Sequence, residues 1–358
     1  MFKSIIILKI LISSFGFKFR FVAVTLFQLT LGAYAGVTGF IDHILFPKYK
    51  LNKPANPVFL MGHPRSGTTF LHRFIVKHCD ELRGMYLVDM IFPSLIARKI
   101  IKPFHDRLAK ISLDKIWNPK IHKAGLFEAE TEDVALFVKY GSGLLSWYYF
   151  HLWDKFKTPE DFDKRIIKVC GNDKFIDYLT SVHQKNIYNT NRRMFCKSFA
   201  LIYNIDKILK EYSNAKILFM VRNPKETIPS TISLMSGAQK KINGLDKAPE
   251  SKRLEFYDKV YKTSLAYYKY MDKIISENRE NIIVYTQKQL LTDFEIVFRG
   301  ILDFYGVITN EKIEAAITEQ VGKQKTFHSE HKYSLGEYGI SEVQIEEDFK
   351  FVYDNYPV

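Results

Sequence analysis

The stretch at residues 57–79, PVFLMGHPRSGTTFLHRFIVKHC, constrains the fold more than any other part of the chain. PVFLMG is too short an apolar run for a helix and reads as a buried strand, whereas TTFLHRFIVKHC keeps its apolar residues on one helical face. The two are joined by a glycine-containing loop. A strand that turns through glycines straight into a helix is the unit of an α/β sheet, and it leaves the helix's first amides at the strand's carboxyl end.

Further apolar runs predict strands at 194–198 (MFCKS), 215–221 (AKILFMV) and 281–286 (NIIVYT), each followed by a helical pattern. From near Lys288 onward, Leu290, Leu291, Phe294, Val297, Phe298, Ile301, Leu302 and Tyr305 fall on one helical face. This alternation predicts an α/β fold with a P-loop-type central parallel sheet flanked by helices. The 358 residues, 47% of them hydrophobic, can bury a full core, which excludes a disordered chain. Prolines at 47, 54 and 57 mark a boundary between an apolar helical segment, 1–50, and one domain, 51–358.

The loop GHPRSGTTF is built for an anion. Gly62 and Gly67 let successive backbone N–H groups converge at a helix start, Arg65 adds a cation, and Ser66, Thr68 and Thr69 add hydroxyl donors. It differs from the phosphate loop of ATP- and GTP-splitting enzymes, where Gly-Lys-[Ser/Thr] stands in place of Gly67-Thr68-Thr69. A second anion site is legible in ILFMVRNPKETIPSTISLM: Arg222 ends a strand, Pro224 suits a helix's first turn, and Ser230 lies two turns along it. None of the predicted strands ends in the Asp that holds Mg²⁺ in an NTPase.

Together the two stretches resemble the sulfotransferase superfamily, whose donor is 3'-phosphoadenosine 5'-phosphosulfate (PAPS). Pro64-Arg65-Ser66-Gly67-Thr68-Thr69 is similar to its 5'-phosphosulfate loop, and Arg222-Asn223-Pro224 with Ser230 to its 3'-phosphate motif, closest to the bacterial-type GHPRSGTT branch and reaching from Pro57 to the C-terminus. The resemblance implies sulfuryl transfer to a hydroxyl or amine acceptor without a metal, with PAPS held by Arg65, Ser66, Gly67, Thr68, Thr69, Arg222 and Ser230. It makes Lys197 of CKSF the lysine beside the sulfuryl group, and puts Phe199 where the cytosolic branch has its histidine base. The base must then come from elsewhere. KIHKAGLFEAETEDVALF is similar to the acidic helix of the bacterial branch and offers His122, Glu130, Glu132 and Asp133, of which Glu132 is favoured, with His122 as second choice; on a helix Glu128 and Glu132 share a face, as do Glu130 and Asp133. Near the end, the resemblance implies that His331, Lys332 and Tyr333 close over the donor.

Residues 21–41, FVAVTLFQLTLGAYAGVTGFI, carry no charge and are long enough to cross a membrane, with Lys18 and Arg20 just before them. They read as a membrane span, an interfacial helix or a helix packed on the domain, and Gly32 and Gly36 permit close helix contact. Lys and Arg outnumber Asp and Glu by 52 to 39, a net charge of +13 that suits a nucleotide or anionic lipid. Basic-aromatic motifs of nucleic-acid modules are lacking. Three dispersed cysteines and no N-glycosylation acceptor favour a cytoplasmic catalytic body, with a Golgi-type lumenal orientation as the alternative. Two rival functions stay open, a P-loop nucleotide kinase or NTPase and a silent membrane-bound relative. So do a lipid-like or carbohydrate acceptor and a homo-oligomer.

Overall fold

The computed structural model describes residues 2–110, 125–277, 279–324 and 335–358. Five strands, β1 (Val58–Gly62), β2 (Leu82–Arg83), β3 (Arg193–Lys197), β4 (Lys216–Val221) and β5 (Ile282–Thr286), form one sheet in the order β2-β3-β1-β4-β5, every neighbouring pair parallel. The helices that bear on the site are α1 (Phe2–Phe15), α2 (Phe19–Leu45), α3 (Thr68–His78), α4 (Asp133–Tyr140), α5 (Lys174–Asn186), α6 (Pro224–Asn243), α7 (Glu250–Ser276), α8 (Phe294–Tyr305) and α9 (Glu311–Gln324).

Both faces of the sheet are buried, which explains why its strands read as unbroken apolar runs. Phe59, Met61, Ile217 and Phe219 point into a core shared with α6 and α7, whereas Val58, Leu60, Leu218 and Met220 point into a second core shared with α3, α8 and α9. The pleat assigns alternate residues of each strand to opposite layers. Parallel register brings Gly62, Val221 and Thr286 to one end of the sheet, because Gly62 pairs with Met220 and Val221 with Thr286.

The four strands read from the sequence all occur, and β2, two residues long, is too short to leave a periodicity. The helix expected from near Lys288 is instead two. Thr286 caps Gln287–Thr292 through a reciprocal pair with Gln289, the chain breaks at Asp293, and α8 begins at Phe294. The break rotates Leu291 out to 41% exposure, off the buried face.

The N-terminal helices lie against the body. Ile7, Ile10, Leu11 and Phe21 join the first core, and α2 packs along α4. The inner stripe of α2 is polar and small: Gln28 Nε2 donates to the Phe137 carbonyl at 3.4 Å, and Asp42 accepts from Ser94 Oγ and the Leu95 and Ile96 amides at 2.8–3.1 Å while pairing with Lys185. Gly32 faces α4, where a Cβ built on it would make ordinary van der Waals contact, 3.5 Å from the carbonyl oxygens of Val138 and Lys139.

Candidate active site

The loop between β1 and α3 can be made only with glycine at its start. Gly62 has φ +151°, and a Cβ there would come within 2.5 Å of the Met220 carbonyl oxygen on β4. Arg65 (φ +73°) and Gly67 (φ +86°) are both left-handed, the turn that makes successive amides converge. Gly67 caps α3 without a side-chain hydrogen bond, so the amides of the first turn face outward. His63 is structural: it is fully buried, its Nδ1 meets the Pro64 carbonyl at 2.8 Å, it stacks on Tyr268, and burial drives its pKa down to about 3.

The two anion motifs meet at Arg65. Its Nε donates to Ser230 Oγ at 2.9 Å, and its carbonyl accepts from the Arg222 guanidinium at 2.7 Å. Arg222 also pairs with Glu226, one turn along α6, and Asn223 caps that helix by accepting from the Lys225 amide at 2.9 Å. Tyr268 holds the end of β4 from behind, its hydroxyl donating to the Arg222 carbonyl at 2.7 Å.

Lys197 stands at the carboxyl end of β3, 1% exposed, and its Nζ donates to Thr69 Oγ1 at 2.8 Å. Burial lowers its pKa to about 8 against the pull of Glu130 and Glu132. Phe199 lies beside it, with the ammonium 5.1 Å from the ring centre. Arg65, Gly67, Thr68, Thr69, Lys197, Phe199 and Arg222 line one cavity of about 290 Å³. Its remaining wall is mainly apolar, with Leu87, Val134, Leu144, Leu145, Tyr148, Tyr149, Leu234 and Met235.

The acidic segment does not have the helical geometry expected of it. The helix starts only at Asp133, and Ala129 forms a bridge with Tyr86, so Glu128 and Glu132 do not share a helix face. Glu132 is fully buried and is not part of the cavity wall. It clamps Lys197 from both sides, its amide donating to the Lys197 carbonyl at 2.9 Å and its Oε2 accepting from the Lys197 amide at 2.8 Å. Its carboxyl pKa is pushed well up by burial, and Oε1 lies 3.4 Å from Nε2 of the buried His183. Asp133 accepts from the amides of Phe199, Ala200 and Leu144 and so fixes the turn after Lys197.

Among the described residues, the carboxylate that does line the cavity is Glu130, paired with Arg73 of α3. Gln287, at the end of β5, and Thr131 are polar wall residues that the sequence reading did not put forward, while Glu130 stood there behind Glu132 and His122. Ser66 and Ser230 lie beneath the surface at 0% and 2% exposure, while His122 and Lys332, with His331 and Tyr333, lie outside the described residues. Glu132, His183 and Cys196 offer ligand atoms within 4.8 Å of one another and could hold a metal ion, on the buried side of Lys197 rather than in the cavity.

No curated protein matches the sequence significantly. The fold is similar to that of a crystallised sulfotransferase from Mycobacterium tuberculosis (TM-score 0.69, 15% identity, covering 97% of this chain and 90% of that one). It is also similar to one from Mycobacterium avium (TM-score 0.71, 13% identity, covering 90% and 82%). A model of the sulfotransferase family matches residues 57–311, which contain the loop, Lys197, Arg222 and Ser230. The chain therefore belongs to the sulfotransferase family.

Proposed function

We propose that the enzyme moves a sulfuryl group from PAPS to a hydroxyl or amine on a largely apolar acceptor, without a metal. The observation that carries this is the junction at Arg65, whose side chain meets Ser230 while its carbonyl meets Arg222. A donor with one phosphate in the loop and a second, separate phosphate needs two linked cradles; a triphosphate with Mg²⁺ needs a lysine and an aspartate that this chain lacks at those positions. The residues fit PAPS in its charge: the amides at the start of α3, with Thr68 and Thr69, face the 5'-phosphosulfate, and Arg222 with the buried Ser230 answers the 3'-phosphate.

In this reading the acceptor oxygen attacks sulfur in line with the bond to the 5'-phosphate. The new O–S bond forms as the bridging S–O bond breaks, and adenosine 3',5'-bisphosphate leaves with the electron pair. Lys197 and Arg65 stabilise the charge that collects on the bridging oxygen. The acceptor proton passes to Glu130, the carboxylate on the cavity wall, in place of the enclosed Glu132. The apolar wall favours a lipid-like acceptor over a carbohydrate, and residues 21–41 attach the protein to a membrane with its catalytic body in the cytoplasm.

Calorimetric titration with adenosine 3',5'-bisphosphate, beside ATP with and without Mg²⁺, tests the donor. Each bond from Arg65 or Arg222 to phosphate is charge-assisted, so Arg65→Ala and Arg222→Ala should each weaken bisphosphate binding about 10- to 100-fold. Tighter binding of Mg-ATP, or indifference to both substitutions, would overturn the assignment.

A further inference from the structure

The polarity of α2 is inverted relative to a helix on the surface of a water-soluble protein. Thr25, Gln28 and Asp42 are buried against the body, at 0–7% exposure, and the hydroxyl of the exposed Thr30 is turned back onto the Leu26 and Phe27 carbonyls at 3.0 and 2.8 Å. Its outer side presents Phe19, Leu26, Phe27, Val37, Phe40 and Ile44, each more than half exposed, and no charged side chain between Arg20 and Asp42. A helix facing water shows the opposite arrangement. A mainly apolar side about 40 Å long, the length of 27 helical residues, is far more than scattered surface hydrophobics.

The helix is long enough to cross a bilayer, yet it is held to the body along its whole length. Phe21 is in the core near its start, Gln28 binds the Phe137 carbonyl in the first half, Tyr34 meets Phe92 edge-on at 5.8 Å, and Asp42 is locked to Ser94, Leu95, Ile96 and Lys185 near its end. Spanning would strip these contacts and carry Asp42 towards lipid without its partners, at a large cost in free energy. Gly32 is already used against α4, which takes the small-residue face away from any second copy.

Charge identifies what covers the strip. At its N-terminal end a cleft is lined by Lys18, Arg20, Lys240, Lys241, Lys247 and Lys252, with Asp246 the only acid lining it among the described residues. At its C-terminal end Lys48 and Lys50 follow directly in the chain, and Lys99 lies over the Phe46 ring at 4.5 Å. Cations at both ends of an apolar strip match a helix lying in the plane of an anionic membrane, its apolar side in the acyl boundary and its flanking cations at headgroup level.

We infer that α2 is an in-plane docking face that seats the whole catalytic body on one leaflet of an anionic bilayer, and does not span it. This rests on the membrane reading above and is independent of the donor. α4, on which α2 lies, also contributes Val134 to the cavity, so the docking face and the acceptor cavity share a wall.

Full-length protein is sedimented with vesicles of phosphatidylcholine alone or mixed with phosphatidylserine. The expected result is preferential binding to the mixed vesicles, reduced about tenfold or more by Phe27→Glu with Phe40→Glu. Ile296→Glu, at a site 74% exposed on α8, should leave it unchanged, and all variants should still bind adenosine 3',5'-bisphosphate. In cells expressing the chain, cysteines introduced at Lys18 and Lys50 should react alike with an impermeant maleimide, both labelled or both protected; the native cysteines are all buried. Labelling of one and protection of the other would establish a span and overturn in-plane docking. Absence of vesicle binding, or a dimer that only the Phe27 and Phe40 changes dissociate, would overturn the membrane reading itself and leave the donor assignment standing.

Discussion

Asp133→Asn tests whether one buried carboxylate sets the turn that presents Lys197 and Phe199. Its Oδ2 accepts from the Phe199 amide at 2.7 Å, from Ser198 Oγ at 3.0 Å and from Thr131 Oγ1 at 2.7 Å. Its Oδ1 accepts from the amides of Ala200 at 3.2 Å and Leu144 at 3.1 Å. Asparagine has the same shape but replaces one oxygen with an NH₂ group. With that group at the Oδ1 position, two backbone amides that cannot rotate face a donor. At the Oδ2 position only the Phe199 amide does, because both hydroxyls can turn and accept. The second orientation is the cheaper: one buried N–H loses its partner, at about 1–3 kcal/mol, and the loss of charge weakens the remaining bonds by roughly another 1 kcal/mol. Urea unfolding should therefore show stability lower by about 2–4 kcal/mol at an unchanged m-value. Since the orphaned amide lies two residues after Lys197, turnover should fall while bisphosphate affinity changes less than about threefold. A variant within about 0.5 kcal/mol of the parent would refute the claim that this side chain carries the turn.

Lys197→Met should reduce turnover by roughly 100-fold or more with a small effect on bisphosphate binding, read by separate kinetic and calorimetric titrations. With its pKa held at about 8 by burial, Lys197 loses its proton as pH rises through that value, so kcat/KM should fall there and the limb should vanish in Lys197→Met. Stability should move the other way: the folded value lies below the ordinary 10.5, the unfolded chain binds more protons between the two, and stability from this group rises with pH across about 8 to 10.5. Glu130→Gln should lower turnover by about 10²–10⁴ while Glu132→Gln, which keeps an acceptor for the Lys197 amide, loses less; equal losses in the two would remove Glu130 from the base role. Gly62→Ala, which drives a Cβ into the Met220 carbonyl, should cost about 2–4 kcal/mol in denaturant unfolding.

What the sequence made legible is what spacing alone determines. The positions of Gly62, Arg65 and Gly67 follow from a strand turning directly into a helix, and those of Arg222, Pro224 and Ser230 from a strand end and two helical turns, so local geometry places both stretches at the carboxyl end of the sheet. Periodicity fails where the backbone is not periodic. Between Gly125 and Glu132 the chain is turn and bridge, and only the three-dimensional path decides that Glu130 meets the cavity while Glu132 turns inward to clamp β3. The same limit applies to α2. Its composition is apolar whichever side faces out, so residues 21–41 read as a span, an interfacial helix or a helix packed on the domain. The choice depends on Gln28 and Asp42 finding partners on Phe137, Ser94 and Lys185, far away in the chain. Two polar residues that look like blemishes in a membrane segment are the groups that fix its inner side, and by doing so they turn the apolar side outward.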